Sequence, residues 1–167
     1  MKIIVQKFGG TSLKTEDDRK TACAHVLNAI KEGYKVVVVV SAMGRAGDPY
    51  ATDTLISLVG GIEAKISDRE WDMLVSCGEV ISSVVFADLL NHTGTKAAAL
   101  TGAQAGFHTS DDHRHAKILE MKCDRLREML QDHDVIVVTG FQGCRENGDV
   151  TTIGRGGSDT SAAALGV

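Results

Sequence analysis

Proline and paired cysteines are scarce in this sequence. One proline occurs in 167 residues, where an average usage of roughly 5% would give about eight. The four cysteines form no CxxC pair, and a chain of this length with so few cysteines is not a disulfide scaffold. These absences exclude a proline-rich linker and a small disulfide-stapled secreted domain, and they indicate a reducing compartment.

The sequence also lacks an excess of positive charge and any long hydrophobic run. Its net charge is −4 and its positive runs are short, so non-specific binding to nucleic acid is not expected. Gln6 and Lys7 interrupt the N-terminal apolar run too early for a signal peptide. The longest apolar run, at residues 36–40, has the length of a strand and cannot span a membrane. We therefore expect a cytoplasmic protein without nucleic-acid or membrane partners.

Glycine, in contrast, is abundant, with 18 residues where a usage of roughly 7% would give about 12. Because proline is rare, these glycines indicate tight turns and close backbone approaches inside a folded unit instead of a disordered linker. The length allows one domain, or one incomplete domain, that can bury a core of its own.

Four short apolar segments predict buried strands. They lie at residues 3–5, 36–40, 96–100 and 135–138, and three of them are rich in β-branched residues. Continuous apolar runs, in place of alternating ones, are typical of strands covered on both faces, as in a parallel sheet.

Helical patterns lie between these strands. Thr15 can cap a helix whose first turn is acidic and which ends at a glycine. A second helical region covers about residues 67–90, with an expected break near Gly78, and a third covers about residues 115–130. The alternation predicts an α/β fold, a three-layer αβα sandwich with a mostly parallel sheet. A helix that starts near Ser158 reaches the last residue without a cap, so we expect the fold to be incomplete at its C-terminus.

Each predicted strand is followed by small or glycine-bearing residues, and ligands of open parallel sheets bind beyond the carboxyl ends of the strands. The loop from Lys7 to Ser12 is the sharpest example. Its paired glycines, Gly9 and Gly10, let backbone N–H groups approach an anion, and Lys7 adds a positive charge. The loop indicates a phosphate site, although the P-loop pattern GxxxxGK[ST] does not occur. A solvated lysine at the end of a strand is the alternative.

A second glycine-rich turn, GRGGSDT, lies at residues 154–160. Arg155 can hold a carboxylate through two parallel hydrogen bonds, and a helix that starts at Ser158 or Asp159 offers backbone N–H groups to an anion. Plain helix capping is the alternative role for Ser158 and Asp159. A dinucleotide-binding interpretation fails in detail, because Asp159 takes the place of the third glycine of GxGxxG.

Glu79 is the third candidate, because Gly78 and Glu79 interrupt an apolar helical region. A buried carboxylate needs a partner, and the ammonium group of a substrate would provide one. A half-exposed glutamate at a helix start is the alternative. The six histidines form no zinc-binding pattern, and no serine lies in a GxSxG elbow.

Together these segments resemble the amino-acid kinase superfamily, and within it the aspartate kinases. The motifs occur in the family's order and are KFGGTS at 7–12, VVVVSAMG at 37–44, PYATDTL at 49–55, SCGE at 76–79, GFQG at 140–143 and TTIGRGGSDTSA at 151–162. They cover nearly the whole chain. KFGGTS combined with GRGGSDTSA is specific, whereas acetylglutamate, glutamate, carbamate and uridylate kinases share only the looser lysine-glycine-glycine start.

The resemblance implies ATP-dependent phosphorylation of the L-aspartate side-chain carboxylate to 4-phospho-L-aspartate, the first step toward lysine, threonine and methionine. ATP and Mg²⁺ are the implied cofactors, with the metal held mainly by phosphate oxygens and water and by no protein ligand. Residues 1–167 would be the N-terminal part of a catalytic domain, without its remainder or the family's regulatory ACT domains. We expect the isolated chain to be inactive or nearly so, and the full-length enzyme to be a homo-oligomer.

The resemblance also implies roles for individual residues. Lys7 and Asp159 are the implied catalytic residues. The implied ATP and phosphate ligands are Lys7, Phe8, Gly9, Gly10, Ser12 and Ser41. The implied substrate ligands are Ser41, Thr52, Glu79, Arg155, Gly156 and Ser158, with Glu79 on the ammonium group of L-aspartate and Arg155 on its α-carboxylate. Two other interpretations stay open, a folded but inactive anion-binding module and a different small-acid kinase of the same superfamily.

Overall fold

The valine-rich segments form a parallel sheet at the centre of the protein. A computed structural model describes residues 1–154 and 156–167. Among these residues the strands are β1 (Lys2–Phe8), β2 (Tyr34–Val40), β3 (Ala97–Leu100), β4 (Phe107–Thr109), β5 (Ile118–Met121), β6 (Val135–Thr139), β7 (Gln142–Cys144) and β8 (Val150–Thr152). The central sheet has the order β1-β2-β6-β3, and every pairing in it is parallel. The four predicted strands are therefore confirmed.

Helices cover both faces of this sheet. In the same part of the chain they are α1 (Glu16–Lys31), α2 (Thr52–Ser57), α3 (Asp68–His92), α4 (Gly102–Ala105), α5 (Asp124–Asp132) and α6 (Gly157–Leu165), with short 3₁₀ turns at Gly10–Ser12 and Gly61–Glu63. Val36, Val38 and Val40 of β2 pack with α1 and α3 in one core cluster. Val37 packs in a second cluster with residues of α5 and α6. The predicted three-layer αβα sandwich is confirmed, because successive side chains of a strand point to opposite faces.

The start of α1 follows the sequence prediction. The side-chain oxygen of Thr15 accepts a hydrogen bond from the backbone N–H of Asp18 at 3.1 Å, and the carboxylate of Asp18 accepts one from the backbone N–H of Thr15 at 3.1 Å. This reciprocal pair satisfies two donors that the first turn of a helix leaves open.

A second sheet, which the sequence did not predict, lies beside the central one. Its order is β5-β4-β7-β8, with antiparallel pairs at both ends and a parallel pair between β4 and β7. The helix predicted at about 115–130 is wrong over its first half, where β5 pairs with β4, and correct only from α5 onward. Leu119, which the helical pattern placed on the inner face, is 71% exposed in β5. Pairing with a distant strand overrides a local helical pattern here.

The predicted break near Gly78 is also wrong, because α3 is continuous over 25 residues. Gly78 lies where α3 packs closely against the loop that follows β2. A Cβ atom built on Gly78 would come within 2.8 Å of the Cβ of Ala42 and 3.1 Å of the carbonyl oxygen of Tyr50. The glycine is required for this close contact and does not interrupt the helix.

Helix α3 is long and apolar enough to cross a membrane by length and composition alone. Half of its apolar window is buried inside the protein, and the carboxylates of Asp72 and Glu79 lie on its buried side. The core helix of a soluble protein passes the same test of length and composition, and α3 packs as such a helix between the central sheet, α1 and α2.

Candidate functional site

The carboxyl ends of β1, β2 and β6 border a cavity of about 600 Å³. Most of the residues predicted for the site line it. They are Lys7, Gly10, Ser41, Thr52, Glu79, Gly156, Ser158 and Asp159. Because these residues come from the end of β1 and the loop after it, the loop after β2, three helices and the turn before α6, the fold gathers distant segments at one edge of the sheet, as expected for an open parallel sheet.

An ion pair joins the first predicted loop to the last. The Nζ of Lys7 lies 3.0 Å from Oδ1 of Asp159, and the two side chains are 30% and 74% exposed. An exposed pair of this kind adds little stability, since solvent screens it. Its consequence is geometric, because it places a lysine ammonium group at the start of α6.

Two serine hydroxyls connect the loop after β2 with the same helix start. The Oγ of Ser41 donates a hydrogen bond to the Oγ of Ser158 at 3.0 Å. Ser158 lies inside the first turn of α6, which begins at Gly157 after a left-handed Gly156 with φ of 72°. The side chain of Ser158 therefore faces the cavity region and not the cap position, so capping does not account for it.

The loops after β1 and β2 contact each other through glycines. The backbone N–H of Gly44 donates to the carbonyl oxygen of Gly10 at 2.9 Å. A Cβ atom on Gly10 would lie 2.5 Å from the carbonyl oxygen of Ala42 and 2.6 Å from that of Gly44. The absent side chain of Gly10 therefore lets the two loops form one continuous wall of backbone groups.

Glu79 is buried at the inner wall of the cavity, with 3% of its surface exposed. One carboxyl oxygen, Oε1, accepts a hydrogen bond from the backbone N–H of Ala42 at 3.3 Å, whereas Oε2 has no hydrogen-bond partner among the residues that the structure describes. Burial raises the pKa of this carboxyl from 4.5 to about 8, and backbone hydrogen bonds oppose that rise only in part. The expectation of a buried carboxylate in need of a partner is met, and a half-exposed glutamate is excluded.

Three residues predicted as phosphate ligands lie outside the lining of this cavity. The ring of Phe8 packs in the core with its centroid 5.8 Å from that of Phe86, although the carbonyl oxygen of Phe8 accepts from the backbone N–H of Ser41 at 3.2 Å. Gly9 precedes the 3₁₀ turn, and its carbonyl oxygen accepts from the N–H of Ser12 at 3.1 Å. Ser12 lines a separate cavity of about 290 Å³. The assignment of Phe8, Gly9 and Ser12 as phosphate ligands stays a prediction.

Arg155, the predicted partner of a substrate carboxylate, lies outside the described residues. Its neighbours Gly156 and Gly157 line the cavity. The turn that carries Arg155 therefore reaches the site, while the assignment of the side chain itself stays a prediction.

The cavity also contains residues that the sequence did not single out. Arg45 lines it, and its backbone N–H donates to Oδ2 of Asp48 at 2.7 Å. Phe141 lines it with a left-handed φ of 70°, which is uncommon for a residue with a side chain. The position of Arg45 directly after SAMG was a usable signal, but the backbone conformation of Phe141 is visible only in three dimensions.

The known proteins that this chain matches share its fold and much of its sequence. The model of the amino acid kinase family matches residues 2–167. Aspartokinase 1 of Bacillus subtilis (strain 168) is 68% identical over 166 residues, which are 99% of this chain and 41% of that protein. The aspartokinase of Geobacillus stearothermophilus is 45% identical over 165 residues, 99% of this chain and 39% of that protein. The chain thus spans about two fifths of the length of these curated relatives.

Solved structures give the same picture. The crystal structure of aspartate kinase from Synechocystis superposes with a TM-score of 0.78 at 40% identity, covering 99% of this chain and 26% of that one. Escherichia coli aspartokinase III in complex with aspartate and ADP superposes with a TM-score of 0.77 at 23% identity, covering 99% of this chain and 46% of that one. At that identity the second likeness concerns the fold alone.

Proposed function

This chain belongs to the amino acid kinase family, and we propose that it carries the phosphate- and L-aspartate-binding residues of an aspartokinase. The reaction is transfer of the terminal phosphoryl group of ATP to the side-chain carboxylate of L-aspartate, which gives 4-phospho-L-aspartate. One observation carries the proposal. Glu79, whose Oε2 has no hydrogen-bond partner among the described residues, and Lys7 line the same cavity, so that cavity offers an anionic partner and a cationic partner at once.

The cationic part of the site suits the phosphates. Lys7 lines the cavity beside Gly10, and the N-terminal turn of the nine-residue helix α6 adds a positive dipole end at Gly157 and Ser158. A carboxylate is already a nucleophile near neutral pH, so the reaction needs no strong general base. The obstacle is the repulsion between an anionic acid and an anionic triphosphate, which Lys7 and the backbone N–H groups reduce.

Asp159 controls where the lysine charge lies. Its carboxylate lies 3.0 Å from Nζ of Lys7 and is itself largely exposed. We assign Asp159 the role of orienting Lys7 toward the transferred phosphoryl group, with the hydroxyls of Ser41 and Ser158 at the same edge of the cavity.

The anionic part of the site suits an amino acid. Glu79 accepts the ammonium group of L-aspartate through Oε2, because a buried carboxylate gains most from a charged donor. Thr52 and Gly156 line the same cavity. Arg155 takes the α-carboxylate, an assignment that rests on the sequence resemblance alone.

Mg²⁺ fits this site as a companion of the phosphates. Within the described residues no three His, Cys, Asp or Glu side chains cluster as a metal site, and Asp159 is a carboxylate lining the cavity beside Lys7. Magnesium usually keeps several waters and binds substrate phosphates with one or two carboxylates. When bound, the ion would neutralise phosphate charge and would be held mainly by phosphate oxygens and water, with Asp159 as a neighbouring carboxylate of the cavity lining.

Trapping the acyl phosphate tests this proposal. The gene product that contains this chain is incubated with ATP, Mg²⁺ and one acid at a time, and hydroxylamine converts any acyl phosphate to a hydroxamate. Hydroxamate from L-aspartate, and none from glutamate or acetylglutamate, is the expected result. Product from glutamate or acetylglutamate would instead assign a different small-acid kinase, and phosphate binding without any hydroxamate would leave an anion-binding module.

Three further expectations remain proposals. Residues 1–167 form the N-terminal part of a catalytic domain, as the share of the curated relatives that they cover suggests. The protein acts in the cytoplasm, where its relatives' amino-acid substrates would be available. The full-length enzyme is a homo-oligomer, and the exposed apolar side chains of Met73, Val80 and Val84, which recur on one face of α3, support self-association.

A further inference from the structure

One face of α3 carries three buried polar residues at spacings of four and three. They are Asp72, Ser76 and Glu79, and each contacts a different strand or loop. The carboxylate of Asp72 binds Thr152 of β8, the carbonyl oxygen of Ser76 accepts from the side-chain amide of Gln142 at 3.0 Å, and Glu79 reaches the loop after β2. This face therefore connects the second sheet to the cavity.

Asp72 is the most heavily bonded of the three. It is fully buried, and Oδ1 accepts from Oγ1 of Thr152 at 2.6 Å while Oδ2 accepts from the backbone N–H of Thr152 at 3.0 Å. The backbone N–H of Arg114 lies 3.1 Å from both oxygens, and Nδ1 of His113 lies 2.8 Å from Oδ2. Hydrogen bonds to a charged acceptor in a dry interior are stronger than neutral ones, so this cluster fixes β8 against α3.

The segment that Asp72 holds leads directly into the cavity. Thr152 ends β8, and the next residue, Ile153, donates its backbone N–H to the carbonyl oxygen of Phe141 at 2.8 Å. Four residues after Thr152 the chain lines the cavity at Gly156 and begins α6. Asp72 and Glu79 lie about two turns apart on the continuous helix α3, so the contact between Asp72 and Thr152 links the position of Glu79 to that of the segment that enters the cavity lining at Gly156.

We propose that Asp72 is a positioning residue for the amino-acid substrate, an inference that rests on the proposed aspartokinase function. It fixes the end of β8, and through it Gly156 at the start of α6, relative to Glu79, the residue proposed to bind the ammonium group. The backbone N–H groups of Thr152 and Arg114 and the hydroxyl of Thr152 all donate hydrogen bonds to Asp72, and only a carboxylate can accept from all three. Asparagine at this position would direct N–H groups at some of these donors and leave them unsatisfied.

Steady-state kinetics of four variants test the role in the gene product that contains this chain. Asp72→Asn and Thr152→Val should each raise the KM for L-aspartate by about 10-fold, which corresponds to about 1.4 kcal/mol, while kcat and the KM for ATP change by less than about threefold. Thr152→Ser keeps the hydroxyl group that Asp72 binds and should behave as the wild type. Thr109→Val is the matched control, because Thr109 is a buried threonine of the second sheet whose Oγ1 bonds Thr151 and not α3.

The outcomes separate this inference from the function on which it rests. Unchanged aspartate KM in both variants would overturn the positioning role, and so would equal losses in ATP KM and kcat or an equal effect of Thr109→Val. If circular dichroism shows that Asp72→Asn does not fold, the comparison of Thr152→Val with Thr152→Ser decides alone. Wild-type protein that forms no hydroxamate from L-aspartate would refute the proposed function itself, and the positioning role with it.

Discussion

The affinity for L-aspartate should rise with pH, because the group assigned to its ammonium is protonated at neutral pH. Burial places the pKa of Glu79 at about 8, so the free protein carries a neutral carboxyl group there at pH 7. A neutral carboxyl gains far less from an ammonium group than a carboxylate does. Binding should therefore release the proton of Glu79 to the solvent.

The size of the effect follows from the ionised fraction of Glu79. With a pKa of about 8, this fraction is about one half at pH 8, about one tenth at pH 7 and about one hundredth at pH 6. An apparent dissociation constant increases in inverse proportion to the competent fraction. The Kd for L-aspartate should therefore be about fivefold higher at pH 7 than at pH 8, and about tenfold higher again at pH 6.

Isothermal titration calorimetry measures both quantities. Titrations at pH 6, 7 and 8 give the Kd, and two buffers of different ionisation enthalpy at pH 7 give the number of protons released, which should approach one per bound L-aspartate. Glu79→Gln is the matched control, since it keeps the size and loses the charge. This variant should bind more weakly at pH 8 and show neither pH dependence nor proton release.

A flat profile would refute the reasoning. If the Kd of the wild type is constant between pH 6 and 8, or if no proton is released, Glu79 does not ionise on binding and is not the partner of the ammonium group. The same conclusion follows if Glu79→Gln keeps the pH dependence, because another group would then be titrating.

Three other predictions concern stability and catalysis. Folded Glu79 keeps a proton that the unfolded chain releases above pH 4.5, so the free energy of unfolding should fall as the pH rises from 4.5 to about 8. The fall is at most about 5 kcal/mol, at about 1.36 kcal/mol per pH unit. Urea titrations should show a smaller fall in Glu79→Gln, and parallel curves for the two proteins would contradict the prediction. Gly10→Ala should lower the free energy of unfolding by about 1–3 kcal/mol through overpacking. Gly9→Ala should cost less, because a Cβ there meets Nζ of Lys7 at an ordinary contact distance of 3.6 Å. Equal urea midpoints for the two variants would exclude the predicted clash of a Cβ on Gly10 with the backbone. In the hydroxamate assay, Lys7→Ala should lower kcat about 100-fold or more, a loss of at least about 2.7 kcal/mol. Lys14→Ala is the control, and an equally small effect of both variants would show that Lys7 has no catalytic role.

The central sheet could be predicted because three of its four strands contain uninterrupted runs of β-branched residues. Residues 36–40 are all valine, and a strand buried on both faces needs such a run. The second sheet could not be predicted in the same way. Its strands have three or four residues and depend on partners far along the chain, so no local period marks them.

The site was predictable to the extent that strand ends determine it. Lys7 and Asp159 are separated by most of the chain, yet the rule that ligands lie beyond the carboxyl ends of parallel strands brings them together. The same rule does not say where side chains point. Phe8 follows Lys7 directly, and because neighbours on a strand face opposite sides, its ring enters the core while the lysine reaches the cavity.

The burial of Asp72 could not be predicted from the sequence. It follows Trp71 and precedes Met73 in the first turns of a helix, where an acidic residue usually faces solvent and complements the helix dipole. Only the fold shows that β8 and the loop at His113 supply the donors that make its burial favourable.

Helix α3 is an exception to the rule by which surface residues are chosen for substitution to improve crystallisation or solubility. Such substitutions are commonly made at the polar residues of a helix, while its hydrophobic residues are left unchanged. On this helix Met73 and Val84 are 50% and 56% exposed, whereas Asp72 and Glu79 are buried. A library chosen by hydropathy alone would mutate the buried side of the helix and damage the cavity that it was meant to leave intact.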